Sequence, residues 1–170
     1  MESLLPAPSA DREADYLAAA EAAVRSYCGW HIAPVITEEM VIDGNGAYSL
    51  PIPSLRVVDI TAATNAGAVM DPLTLEWSKA GFLRADGCWT SRLRGVRLTV
   101  EHGFESVPEV AEIVRAIAGR ASLSPSGITR EQAGQVSVSF SLVAPGVAGG
   151  VVLMDHERVM LDRYRIFKGV

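Results

Sequence analysis

The stretch Tyr27-Cys28-Gly29-Trp30-His31 closes a helix and leads straight into a β-rich, turn-rich segment, and this junction constrains the chain most. The helix before it is rich in alanine. An isolated helix of that kind is marginal in water, so packing must hold it. The next helical pattern begins only at Pro108, after the β segment has ended. The expected fold is therefore α+β, a small helical bundle core (1–34 and 104–170) with an inserted antiparallel β module (35–103).

The 170 residues suffice for one core with a substantial insert and need no disulfide or metal staple. A formal net charge of -5 argues against a general nucleic-acid binder, which presents a basic excess. Cys28 and Cys88 form no C-x-x-C pair and read as small buried hydrophobes. The first residues, Met1-Glu2-Ser3-Leu4-Leu5-Pro6, show neither a basic n-region nor a long apolar run. Val147 to Met154 is apolar but too short for a membrane span. A soluble protein made in a cytoplasm is expected.

Ser9 reads as the N-cap of the first helix, with Asp11, Glu13 and Asp15 at its positive end. Leu17, Ala20, Val24 and Tyr27 make one face, and Ala18, Ala19, Ala22 and Ala23 lie around the rest. Gly29 supplies the left-handed C′ position. Beyond Val35 the period falls to two. Asn45-Gly46 is a hairpin signal between Met40-Val41-Ile42 and Tyr48-Ser49-Leu50. Asn65-Ala66-Gly67 is a second turn, Leu73, Leu75 and Trp77 alternate, and Val96, Leu98 and Val100 form a final strand. Ser106 and Glu109 make a capping box, after which Val110, Ile113, Val114, Ile117 and Ala121 form a helical stripe. Gln135 to Leu142 alternates again, with Val136, Val138, Phe140 and Leu142 on one side and Ser137, Ser139 and Ser141 on the other. A short helix over Asp155 to Tyr164 is expected to turn Val159 and Met160 inward, and an apolar, basic tail follows.

No catalytic signature stands out. His31, His102 and His156 are the only histidines and no two sit at ligand spacing. Glu38 and Glu39 are adjacent on a strand and so point to opposite faces. There is no P-loop, no G-x-S-x-G and no H-E-x-x-H. Arg92, Arg94 and Arg97 read as a solvated strand edge protected against pairing. The tail Tyr164-Arg165-Ile166-Phe167 is a poor choice for solvent and a good one for docking, since aromatics and Arg are enriched at interface hot spots.

The order of these pieces resembles the head-to-tail connector (adaptor, or head-completion) proteins of long-tailed double-stranded DNA phages. It rests on Tyr27-Cys28-Gly29-Trp30-His31-Ile32-Ala33-Pro34, Asp43-Gly44-Asn45-Gly46 and Leu50-Pro51-Ile52-Pro53-Ser54-Leu55-Arg56-Val57. Trp77, Gly81-Phe82-Leu83-Arg84, Trp89, Val100-Glu101-His102-Gly103-Phe104 and Pro108 continue it, and Glu157, Leu161 and Tyr164-Arg165 close it. The resemblance implies a non-enzymatic homo-oligomeric ring, a dodecamer, under the portal vertex in the virion neck. That ring extends the DNA channel, passes double-stranded DNA without binding it specifically, and connects the capsid to the next neck, stopper or tail protein. It implies no cofactor, no metal and no membrane partner. Tyr164, Arg165, Ile166 and Phe167 would dock to the portal; Gln135, Val136, Val138, Phe140, Ala19 and Ala22 would meet neighbouring subunits or the lumen. The alternatives are a tail-completion or stopper-type neck protein, and a small hydrolase using the β module as a pocket with Glu38, Glu39 or His102 as acid or base.

Overall fold

The computed structural model describes residues 12–123, 130–133, 136–139 and 150–166. Among these the chain is mostly antiparallel β: nine strands in sheets of four, three and two, with three α-helices. It divides into two compact units.

The β unit runs from Gly29 to Val107, with Ile166. Strands β1 (Ile36–Ile42), β3 (Val57–Asn65), β4 (Ala68–Met70) and β7 (Val96–His102) make one sheet in the order β1-β7-β3-β4. Strands β2 (Ser49–Pro51), β5 (Glu76–Ser78) and β6 (Phe82–Arg84) make another, in the order β2-β6-β5. Alternation along β7 buries Val96, Leu98, Val100 and His102 and turns Arg97, Thr99 and Glu101 outward. Val96, Leu98 and Val100 pack with Leu50, Val57, Ile60, Leu83 and Trp89 into a core drawn from residues 40–100 alone. Two irregularities in the pairing of β3 with β7, at Val58 and Thr61, keep Val57, Ile60 and Ala63 all facing that core.

The other unit holds α1 (Arg12–Cys28), α2 (Pro108–Leu123), α3 (Asp155–Leu161) and the paired strands β8 (Arg130–Ala133) and β9 (Val136–Ser139). In α1 only Ala20, Val24 and Cys28 are buried; α2 buries Val110, Ile113, Ile117, Ala118 and Ala121. An ion pair joins α2 to α3: Arg120 donates to both Glu157 oxygens, at 2.8 and 2.9 Å, and to the Val152 carbonyl at 3.1 Å.

This corrects the expected fold class. The chain is not a helical bundle core carrying an inserted β module; most of its buried large side chains belong to the sheets. The reason is side-chain size. The helical periodicity is real, but alanine removes little apolar area from water, whereas the strands contribute Leu, Ile, Val and Trp.

Several local expectations change too. Asn45-Gly46 does not join two paired strands, because β1 pairs with β7 and β2 with β6. Instead Asn45 accepts from the Ala47 amide and donates to the Ser49 carbonyl, which turns the chain between sheets. The true two-residue hairpin turn is Ala66-Gly67 between β3 and β4, with φ of +53° and +90°. Leu73 is exposed on a short 3-10 turn, Pro72–Thr74, rather than on a strand. Helix α3 is inverted relative to expectation: Glu157 and Leu161 are buried, while Val159 and Met160 face solvent. Cys28 is buried but Cys88 is exposed. Ser9 lies outside the described residues.

Candidate functional site

Two ends of the β unit, far apart in sequence, build its one cluster of aromatic and imidazole rings among the described residues. The chain leaves α1 through Gly29, at φ +80°, into Trp30 and His31; strand β7 ends at His102, and Gly103 and Phe104 follow it. Trp30 sets its ring edge-on to Phe104 at 5.9 Å, with His102 at 6.3 Å. His31 lies 5.9 Å from His102, also edge-on. Gly103 permits this approach. It has φ +114°, and a Cβ there would stand 2.6 Å from the Pro34 carbonyl oxygen. The Phe104 amide then donates to the Ile32 carbonyl and closes the two ends together.

The imidazoles are held by groups that can only accept. His31 donates from Nε2 to the Pro34 carbonyl at 2.7 Å. His102, almost fully buried, donates from Nε2 to the Glu38 carboxylate at 3.1 Å. Its Nδ1 meets no hydroxyl, thiol or other donor among the described residues. Burial lowers the His102 pKa below 6.5, against the opposing pull of Glu38 and with help from His31. Glu39 turns to the other face and pairs with Arg97 at 3.4 Å. Glu38 and Glu39 therefore serve two different partners, and neither sits with a nucleophile. Among the described residues no three of His, Cys, Asp and Glu converge as a metal centre requires, and no helix is long and apolar enough to cross a membrane.

The remaining predicted residues are surface or packing elements. Tyr164 is buried and donates its hydroxyl to Glu109, whose pKa is held down by that bond, while burial and the same bond push the Tyr164 phenol up. Arg165 lies over the Tyr27 ring at 4.9 Å and pairs with Asp162 at 3.8 Å. Tyr27 itself donates to Asp162 at 2.7 Å. Ile166 is half-buried; Phe167 lies outside the described residues, as do Gln135 and Phe140. Val136 and Val138 fall on β9, paired with Ala133 and Glu131. Ala19 and Ala22 are exposed on α1. Helices α1 and α2 also border an open groove of about 710 Å³ lined by Tyr16, Leu17, Arg115, Ala118 and Ser122 among others.

Arg92 and Arg94 are not on a strand. They flank Leu93 at the tip of the loop before β7, and all three are exposed. The tip is pinned from several sides. The Gly44 amide donates to the Arg92 carbonyl at 2.9 Å, the Arg94 amide to the Asp43 carboxylate at 2.6 Å, and the Arg92 amide to the Thr90 hydroxyl at 3.2 Å.

The sequence reading missed the meeting of His31 with His102, since 71 positions separate them. A usable signal was present: Gly29-Trp30-His31 and His102-Gly103-Phe104 each put a glycine, an aromatic and a histidine together where a regular element ends.

No protein-family model matches the sequence, and no curated protein matches it in sequence. In structure the chain is similar to a chain in the neck of the native GTA particle, computed with C12 symmetry. The TM-score is 0.59 at 14% identity, covering 93% of this chain and 84% of that one. It is similar also to a chain in the neck of the empty GTA particle with C6 symmetry, at TM-score 0.59 and 14% identity over 98% and 83% of the two chains. A chain in the virion of the native gene transfer agent (GTA) particle gives TM-score 0.57 and 17% identity over 98% and 82%. At these identities the fold is what is shared.

Proposed function

We propose that the chain is a structural component of a phage-type neck: an adaptor whose copies form a ring beneath the portal, extend the DNA channel and connect the head to the next neck or tail protein. The observation that carries this reading is the fold shared with neck chains over 93–98% of this chain and 83–84% of theirs. The resemblance read from the sequence points the same way independently.

The charge fits the task. A modest acidic excess repeated around a ring disfavours phosphate contacts, and sequence-independent DNA binding grows with each basic contact. The C-terminal segment from Ile166 onward is assigned to capture of the portal, and the buried Tyr164 anchors its base. Deleting Ile166 to Val170 is expected to weaken portal capture and leave the fold intact; equal capture by the truncated protein refutes that assignment.

The deciding experiment is the copy number of this protein in purified particles, relative to the portal, by quantitative mass spectrometry. An equal ratio, with loss of joined heads and tails when the gene is absent, supports the adaptor reading. Absence from particles removes the neck assignment altogether.

A further inference from the structure

The four-stranded sheet has one face on the core of the β unit, and its other face exposes Glu39, Asp59, Ala62 and Arg97. Thr99 and Ala62 lie at the centre of that face, flanked by the Glu39–Arg97 pair and Val41, with a pair of acids at one end. Asp59 and Glu101 stand directly opposite each other on β3 and β7. Like charges in that register repel. Neither carboxylate has a basic side chain as partner among the described residues; the nearest basic residue of the face, Arg97, is engaged by Glu39. Asp59 only accepts from the neighbouring Ile60 amide.

The opposite end of the same strand carries the complementary charge. Arg92 and Arg94 precede β7, and Glu101 lies near its end, a span of about 20 Å at strand rise. Neither guanidinium has a carboxylate partner among the described residues, and Leu93 between them is 79% exposed. The backbone of this tip is already fixed by its bonds to Gly44, Asp43 and Thr90, so little ordering remains to oppose docking.

We infer that a second copy of this chain is the partner: the Arg92-Leu93-Arg94 tip of one copy docks on the Asp59–Glu101 end of the open sheet face of the next. The two Arg forks meet the two carboxylates, and Leu93 settles on the methyl groups of Thr99 and Ala62. Arg–carboxylate forks are the strong, directional form of such contacts. The two patches differ and lie at opposite ends of one strand, so the contact is head-to-tail, the kind that generates rings when its rotation closes. This inference rests on the neck reading and names the copy-to-copy contact within it.

The test is charge reversal with rescue. Arg92→Glu/Arg94→Glu and Asp59→Arg/Glu101→Arg each leave a copy whose two patches carry the same sign. Sedimentation velocity over a concentration series should show wild-type self-association and at least about a 100-fold weaker association constant for either variant. Unchanged far-UV circular dichroism would show that both still fold. Mixed one to one, the variants are complementary at every contact, and association should return. Wild-type protein that stays monomeric at every concentration overturns the inference, as do variants that associate like wild type or a mixture that fails to recover. None of these outcomes touches particle composition, which alone decides the neck reading.

Discussion

Substituting Arg120 tests how the helical unit is held together. Its guanidinium is 21% exposed and the Glu157 side chain only 3%, so the pair is shielded from water. Arg120→Met removes both bonds to Glu157 and the bond to Val152, and leaves the carboxylate with the Met154 amide at 2.8 Å as its one remaining bond among the described residues. Stranding a buried charge in this way costs about 3–5 kcal/mol. With a urea slope of about 2 kcal/mol per molar, the midpoint falls by roughly 2 M. The double substitution Arg120→Met/Glu157→Met replaces the pair by apolar side chains and should recover most of the loss, since refilling a buried pair is often neutral. Two probes separate the units. Circular dichroism at 222 nm follows the helices, whereas Trp30, Trp77 and Trp89 all lie in the β unit and report it by fluorescence. A single variant that loses less than about 1 kcal/mol in the helical transition, or a double variant as damaged as the single, refutes the reasoning.

Three further outcomes are expected. Gly81→Ala should destabilise far more than Gly67→Ala in urea unfolding. Both positions have positive φ, which costs about 1 kcal/mol, but a Cβ at Gly81 would stand 2.1 Å from the Ser54 carbonyl oxygen, while Gly67 has nothing within 4 Å. Gly119→Ala should stabilise the helical unit by about 0.5–1 kcal/mol, read as a higher urea midpoint at 222 nm, because this α2 glycine has open space around it. His102 has its folded pKa lowered by burial, so its contribution is complete above pH 6.5 and is lost as pH falls through the folded value. Fluorescence midpoints should therefore drop between pH 7 and pH 5, and that part of the drop should vanish in His102→Gln; an unchanged slope in the variant would show that other groups carry it.

How far the sequence could be read follows from what each signal measures. The two longer helices and strand β7 were legible because their periodicity reports local geometry, and Gly29 was legible because only glycine sits easily at its φ. Strand partners were not. Asn45-Gly46 has the composition of a hairpin turn, yet composition says nothing about which sheet the next strand joins, and β2 pairs with β6 some thirty residues on. Helix α3 misled for a different reason. Val159 and Met160 looked like its inner face, but the pull of Arg120 on Glu157 rotates the acid inward, and no periodicity encodes an ion pair made across 37 positions. Of the proposed docking residues, Tyr164 was picked for its poor fit to solvent, and burial against Glu109 already satisfies that preference.

Two surfaces compete for the proposed contact between copies, and salt separates them. The exposed Ala19 and Ala22 of α1 would join by apolar packing, while the Arg92–Arg94 tip would join by charge. From 0.1 to 1 M salt the screening length falls from about 10 to about 3 Å, which weakens exposed charge contacts and leaves apolar packing in place. Self-association through the tip should therefore collapse at 1 M sodium chloride and survive Ala19→Arg/Ala22→Arg at 0.1 M. Association through the alanine face should show the reverse pattern, lost in that double variant and indifferent to salt. Sedimentation of both proteins at both salt concentrations decides between them. Wild-type association that resists 1 M salt and also survives the arginines would exclude both surfaces and direct attention to the open edge of β1, the seven-residue strand that carries Glu38 and Glu39 and has no neighbour on its outer side among the described residues.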